Sequence, residues 1–330
     1  MRLLVQLFFV VGYIGLTCAV PDDVSMAIAV IACRQQVDNP LRRLFYSIAR
    51  VKNQESRINM FILYYPPFLK SMEGDPKGLL CKSIGENCER LLTILRTTHS
   101  MNISFIPLPH SEHMNIFKPC ATSRLWLPKL LPESENVVIY LDTDTLVLED
   151  LHPLWLEIRL FSEDTLMGVV PELFRGPEFP IVPNLTSTAP IMVWPRGINT
   201  GMMLLHLTKM RHSNFSEEIT SILHSGASLR AGDQCVINIY ASRHPNSYRL
   251  LPCKWNTRGH PHRTDDHCVE NMEAPAGILH GSRGHFISPR VWLDAHVGGN
   301  STIRRNLAAM NQLYVENAKL MNADDIWVDA

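Results

Sequence analysis

The chain has 330 residues, 46% of them hydrophobic and 19% charged, with a formal net charge of −1. That much apolar material supports a large buried core and excludes a disordered chain. The near-zero charge provides no global basic field and argues against nucleic acid as the main partner.

Residues 3–20 are almost entirely apolar, with Gln6 the one strongly polar interruption and Arg2 in front. This is the pattern of an export signal. It is cleaved after Ala19, behind Thr17-Cys-Ala19, or retained as a signal-anchor over residues 1–20; a bilayer-spanning helix needs about 20 apolar residues. Either outcome places the rest of the chain in the lumen of the secretory pathway (Golgi or ER), in the second case as a single-pass type II membrane protein. Four Asn-X-Ser/Thr acceptors, at Asn102, Asn184, Asn214 and Asn300, agree with that compartment. So do the eight cysteines, among which Cys81 with Cys88 and Cys253 with Cys268 are local pairing candidates.

The apolar run 26–33 predicts a first strand buried on both faces. Asn39-Pro40 opens a helix through Val51, with Leu41, Leu44, Phe45 and Ile48 on one face. Strands are expected at 58–64 and 103–106, with a helix over 86–96 between them. Residues 118–131 read as helical in whole or part. Alternating strands and helices predict a mostly parallel central sheet with helices on both faces. No Gly-X-Gly-X-X-Gly follows the first strand, so a dinucleotide fingerprint is absent.

The apolar run Val137–Leu141 leads into Asp142-Thr143-Asp144. Two carboxylates at i and i+2 on one strand share a face, and the C-terminal ends of such strands are where α/β sheets bind ligands. No basic residue lies within three positions of either acid, so packing does not account for them. A hard divalent cation does, Mg²⁺ or Mn²⁺, itself a phosphate holder. Further strands are expected at 166–170, 202–207, 249–254 and 277–280, with helices over 214–223, 232–241 and 302–321. Residues 173–196 and 256–275 read as loops. His280 ends an apolar run beside Gly281 and Gly284, and a neutral imidazole joins carboxylates well around Mn²⁺-like ions. Arg124 is either a phosphate contact or a solvated surface charge. Asp233 suits a helix N-cap.

Two metal chemistries fit the acid pair. Asp142-Thr-Asp-Thr145 also matches the Asp-X-Asp-X-Thr/Val motif of haloacid-dehalogenase-like phosphatases, with Asp265-Asp266 as the late acidic pair in reach of the role that chemistry needs. In the other chemistry both acids hold a cation bound to a nucleotide diphosphate. A lumenal binding protein without catalysis is a third class.

Six motifs in one order decide the ranking: Phe117-Lys-Pro-Cys-Ala-Thr-Ser-Arg-Leu-Trp-Leu-Pro128, Tyr140-Leu-Asp-Thr-Asp-Thr-Leu146, Gly197-Ile-Asn-Thr-Gly-Met-Met203, Gly232-Asp-Gln234, Leu251-Pro-Cys-Lys-Trp-Asn256 and Leu279-His-Gly-Ser-Arg-Gly284. Over residues 26–285 the set resembles the family 8, glycogenin-like retaining glycosyltransferases, and within them the glucoside xylosyltransferases. The resemblance implies a GT-A-like nucleotide-sugar transferase fold, with a catalytic domain over 25–290 and a helical extension over 291–330. It implies Asp142, Asp144 and His280 as Mn²⁺ (or Mg²⁺) ligands and UDP-xylose as donor. Ile31, Ala32 and Cys33 would face the uracil. Arg124, Thr143 and Gly281 would lie near the donor, Asn199 and Gly201 would line the sugar pocket, and Asp233 and Gln234 would flank the anomeric carbon. Many family members carry Lys-Pro-Trp after the histidine; here Arg283-Gly-His-Phe stands there, which makes Arg283 the substitute diphosphate contact. The implied acceptor is O-linked glucose on epidermal-growth-factor-like repeats, xylosylated in α1→3 linkage.

Overall fold

A computed structural model describes residues 25–32, 38–64, 88–109, 122–172, 197–225, 229, 232–258 and 276–281. Outside them lie the apolar N-terminus, Cys33, Cys81, Asn184, Asp265, Asp266, Cys268, Arg283, Asn300, the loop expected at 173–196 and the helix expected at 302–321. Among the described residues no helix is long and apolar enough to cross a membrane.

The first half follows its apolar pattern. Strand β1 (Ser25–Ala32) is buried over six consecutive residues and lies parallel to β2 (Arg57–Tyr64). Helix α1 (Asp38–Val51) presents Leu41, Leu44, Phe45 and Ile48, each no more than 1% exposed. Burial of side chains of this size contributes about 1.5–3 kcal/mol each. Helix α2 (Cys88–His99) runs three residues past the expected end, and β3 (Met101–Pro107) pairs parallel to β2. Asn102, on that edge strand, is exposed.

A short 3₁₀ turn (Ser123–Trp126) and α3 (Leu127–Leu130) precede β4 (Val138–Leu141). Strands β6 (Met167–Pro171), β7 (Ile198–Leu205) and β8 (Tyr248–Leu250) complete a seven-stranded sheet in the order β3-β2-β1-β4-β7-β6-β8. Only β7 runs against its neighbours, so the sheet is mainly parallel as expected. Helices α5 (Leu207–His212) and α6 (Phe215–His224) follow β7, and α7 (Asp233–Arg243) packs on it. Helix α4 (His152–Leu156) lies between β4 and β6.

Three expectations are corrected. The strand assigned to 202–207 starts four residues earlier, at Ile198, because Asn199 and Thr200 are buried polar strand residues with partners (below), and Leu207 already belongs to a helix. The strand assigned to 249–254 ends at Leu250, and Cys253–Asn256 is a 3₁₀ turn after Pro252. The 256–275 loop begins instead as strand β9 (Thr257–Arg258). A second sheet, β5-β10-β9, was not anticipated. Here β10 (Ile278–His280) pairs antiparallel to β5 (Thr145–Val147), which sits only three residues after β4.

Arg211 of α5 secures the approach to β4. Its guanidinium donates to the carbonyl oxygens of Pro128 (2.7 Å), Leu131 (3.2 Å), Pro132 (2.9 Å) and Glu135 (2.9 Å).

Candidate active site

The acids do not lie on the strand. Strand β4 stops at Leu141, and Asp142 to Asp144 form the turn into β5, closed by the Thr145 N–H and hydroxyl donating to the Asp142 carbonyl (3.2 and 2.7 Å). β7 reaches the turn from the other side: the Asp142 N–H donates to the Gly201 carbonyl at 2.8 Å. The small sheet supplies the histidine. His280 pairs with Thr145 across the β5–β10 ladder, and the Gly281 N–H donates to the Asp144 carbonyl at 2.7 Å. His280 Nε2 then lies 3.6 Å from Asp142 Oδ2 and 3.4 Å from Asp144 Oδ1. One ligand atom from each of the three residues falls within 4.8 Å of the other two.

Gly201 has a steric role beside that cluster. A Cβ built there would overlap the His280 imidazole, so only glycine leaves room for the ring.

Asp142 is not without a cation. Arg124, eighteen positions upstream on the 3₁₀ turn, places NH2 3.0 Å from Asp142 Oδ1 and Nε 3.0 Å from Asp233 Oδ2. Its NH1 donates to the Thr200 carbonyl at 2.9 Å. The side chain is 11% exposed, which rules out a solvated surface charge. Burial disfavours the guanidinium charge, but Asp142 and Asp233 outweigh it and raise the pKa above its ordinary value. Tyr140 also donates to Asp142 Oδ1, at 2.6 Å, and burial holds its phenol well above the usual range.

Asp233 is not an N-cap. Gly232, at φ 65°, holds that position, and the Asp233 carboxylate accepts from the Thr200 hydroxyl at 3.1 Å. Burial raises its pKa, with Arg124 opposing in part. Burial alone would also raise Asp144, but against a protonated His280 the hydrogen bond and charge of that ring prevail and hold Asp144 below the ordinary carboxylate range.

Next to this ionic cluster lies a network of side-chain amides around one carboxyl group. Glu172, two residues past the β6 bulge, accepts from Asn199 Nδ2 (2.9 Å) and Gln234 Nε2 (2.8 Å). Asn199 also reaches Gln234 Oε1 (3.3 Å), and its Oδ1 accepts from the Gly201 N–H (3.0 Å) and from Asn256 Nδ2 (2.7 Å). Asn256 Oδ1 lies 2.9 Å from His280 Nδ1. All of these side chains are buried.

Asp142, Asp144, His280, Arg124, Asn199, Gly201, Asp233, Gln234 and Gly281 are thus brought together. Thr143 sits in the acid turn. Ile31 and Ala32 close β1 two to three residues past Ala29, which pairs with Tyr140 of β4, so they stand next to that turn. Cys33 and Arg283 lie outside the described residues. Sequence reasoning missed Tyr140, Glu172, Thr200 and Asn256. Tyr140 and Asn256 fall inside motifs singled out above, so their position in the motif was the available signal; Glu172 carried only its place at a strand end.

The donor set fits a divalent cation. Three carboxylates, Asp142, Asp144 and Asp233, share the site with one guanidinium, which pairs with Asp142 and Asp233; counted as ionised, they leave two negative charges in excess when His280 is neutral. Hard oxygens with one imidazole suit Mn²⁺ or Mg²⁺.

Comparison with known proteins places this arrangement. The architecture is that of the GT-A nucleotide-sugar transferases. The apo crystal structure of mouse xyloside xylosyltransferase 1 superposes with a TM-score of 0.57 at 16% identity, covering 79% of this chain and 99% of that one. Galactosyltransferase LgtC, in complex with donor and acceptor sugar analogues, gives 0.51 at 17% identity over 86% and 96%. The family model for glycosyl transferase family 8 matches residues 87–282, and the chain belongs to that family. Glucoside xylosyltransferase 1 of Danio rerio is 34% identical over 210 residues, 57% of this chain and 48% of that protein. Glucoside xylosyltransferase 2 of Mus musculus is 27% identical over 283 residues, 81% of this chain and 60% of that protein. The chain spans about half the length of the curated relatives it matches.

Proposed function

We propose that this chain is a metal-dependent retaining glycosyltransferase that moves xylose from UDP-xylose to a glucose acceptor, O-linked on an epidermal-growth-factor-like repeat, in the lumen of the secretory pathway. The observation that carries the reading is the convergence of Asp142 and Asp144, on the turn that joins the two sheets, with His280 of the small sheet. The names of the relatives favour xylose and glucose as the donor and acceptor sugars. The same family assignment leaves the haloacid-dehalogenase-like reading without support.

Asp142, Asp144 and His280 would hold Mn²⁺, which supplies Lewis-acid stabilisation of the leaving diphosphate. Arg124 and Tyr140 orient Asp142, so Oδ1 stays committed to the protein while Oδ2 faces His280. As the bond from the sugar's C1 to the diphosphate lengthens, positive charge develops on the ring. The Asp233 carboxylate and the Gln234 carbonyl are the groups assigned to support it. Glu172 holds the Gln234 amide by its NH₂ end, which fixes Oε1 as the atom that faces Asn199 Nδ2 at 3.3 Å. The reading is front-face attack, with the leaving phosphate oxygen accepting the acceptor's proton as the bond from C1 to the acceptor oxygen forms.

The test is UDP release against a panel of UDP-sugars with Mn²⁺, with and without a glucoside acceptor. UDP-xylose should be used preferentially. The D142N/D144N pair should reduce metal-dependent release to background while circular dichroism remains native; full activity in that variant removes the metal site from the mechanism. A chain that ignores every UDP-sugar but hydrolyses a phosphate ester reverses the reading.

A further inference from the structure

The network behind His280 contains one group whose hydrogen cannot be reassigned. The backbone N–H of Gly201 only donates, and it points at one amide atom of Asn199 from 3.0 Å. That atom is therefore the oxygen. The other end of the same amide faces Glu172 Oε2 at 2.9 Å and Gln234 Oε1 at 3.3 Å, both acceptors, so it is the NH₂. Two independent partners demand the same orientation. With Asn199 Oδ1 fixed as an acceptor, the Asn256 amide atom 2.7 Å away must be its nitrogen. The Asn256 oxygen is then the atom 2.9 Å from His280 Nδ1, and Nδ1 must carry a hydrogen.

We infer that Asn256 is a positioning residue that holds His280 as the Nδ1–H tautomer and so keeps its Nε2 lone pair turned toward Asp142 and Asp144. This rests on the reading of those three residues as a divalent-cation site. Which ring nitrogen of a histidine carries the proton is set by the hydrogen bond the other one makes. In the opposite tautomer an Nε2–H would occupy the coordination position, and bare Nδ1 would face the Asn256 oxygen, acceptor against acceptor. Flipping the Asn256 amide does not relieve this, because it sets oxygen against Asn199 Oδ1. Asn256 is 1% exposed, so water does not supply an easy substitute. The 3₁₀ turn Cys253–Asn256 delivers the residue to the network, while β9, which follows it, pairs with β10 at Leu279 and His280.

The experiment is a Mn²⁺ titration followed by the EPR signal of the free ion, which reads binding with no turnover. Asn256→Leu removes the acceptor, and its Kd should rise about tenfold to a hundredfold over the native chain. Asn256→Asp keeps an acceptor for Nδ1–H and should bind Mn²⁺ more tightly than the leucine variant. A folded N256L chain with native affinity overturns the inference, as does N256D binding as weakly as N256L. A native chain that takes up no Mn²⁺ at all overturns the cation-site reading itself, a separate outcome. If N256L does not fold, ¹⁵N NMR of the native, metal-free chain with labelled histidine decides. The ring broadened by added Mn²⁺ should show a proton on Nδ1; Nδ1 bare with a proton on Nε2 overturns the inference.

Discussion

Strand β4 has two different neighbourhoods. Toward β1, β2 and β3 the sheet is parallel and its buried side chains are nearly all aliphatic or aromatic. Toward β7 and α7 burial is as deep, but Asn199, Thr200, Asp233 and Gln234 are polar and each has named partners. The first region gains from non-directional burial, which tolerates substitution in proportion to volume. The second depends on directional pairs, where removing one partner strands the other. The apolar half is a platform, and the chemistry sits on the half whose burial is conditional on pairing.

The sharpest way to break this contrast is Arg124→Leu. It leaves Asp142 and Asp233 without their cation, and breaking a buried pair costs about 3–5 kcal/mol. Urea denaturation should show that loss, and adding Asp233→Asn should restore part of it. Ile62→Ala tests the platform. Ile62 is 1% exposed on β2, and a core truncation of this kind costs about 2–5 kcal/mol. Its Mn²⁺ affinity, measured calorimetrically on the folded protein, should match the native chain.

Gly201→Ala separates the two regions more finely. The added methyl competes with the His280 ring, an overpacking change of about 1–3 kcal/mol. Mn²⁺ affinity should fall about tenfold or more, as for lost support of a metal ligand. The smallest effect is expected at the start of α5. His206 Nδ1 accepts from the Lys209 N–H at 3.4 Å, and burial, with Lys209 nearby, lowers its pKa from the ordinary 6.5 to about 4. The folded state therefore disfavours the protonated ring. The stabilisation is complete above pH 6.5, shrinks as pH falls, and is lost by about pH 4. Melting temperatures across that window should decline less in His206→Asn than in the native chain.

Much of the platform was legible without coordinates. Unbroken apolar runs marked β1 and β4, a run interrupted only by Asn59 marked β2, and the period of Leu41, Leu44, Phe45 and Ile48 marked α1. The acid pair was visible as carboxylates after an apolar strand, although it occupies a turn. β5 was missed because Thr145-Leu-Val147 reads as a continuation of the preceding run. The true start of β7 was missed for the opposite reason: polar Asn199 and Thr200 break an apolar pattern yet remain buried.

What the sequence determined by itself was the order of apolar segments and the residue types able to hold a cation, because periodicity and side-chain chemistry are local properties. What only the tertiary structure decided was which charges cancel and which lone pairs point inward. Arg124 meets Asp142 and Asp233, and Asn256 meets His280, across separations where chain order carries no directional information. A hydrogen bond or ion pair depends on angle and on a few tenths of an ångström, and those are fixed only when β4, β7 and β10 have packed.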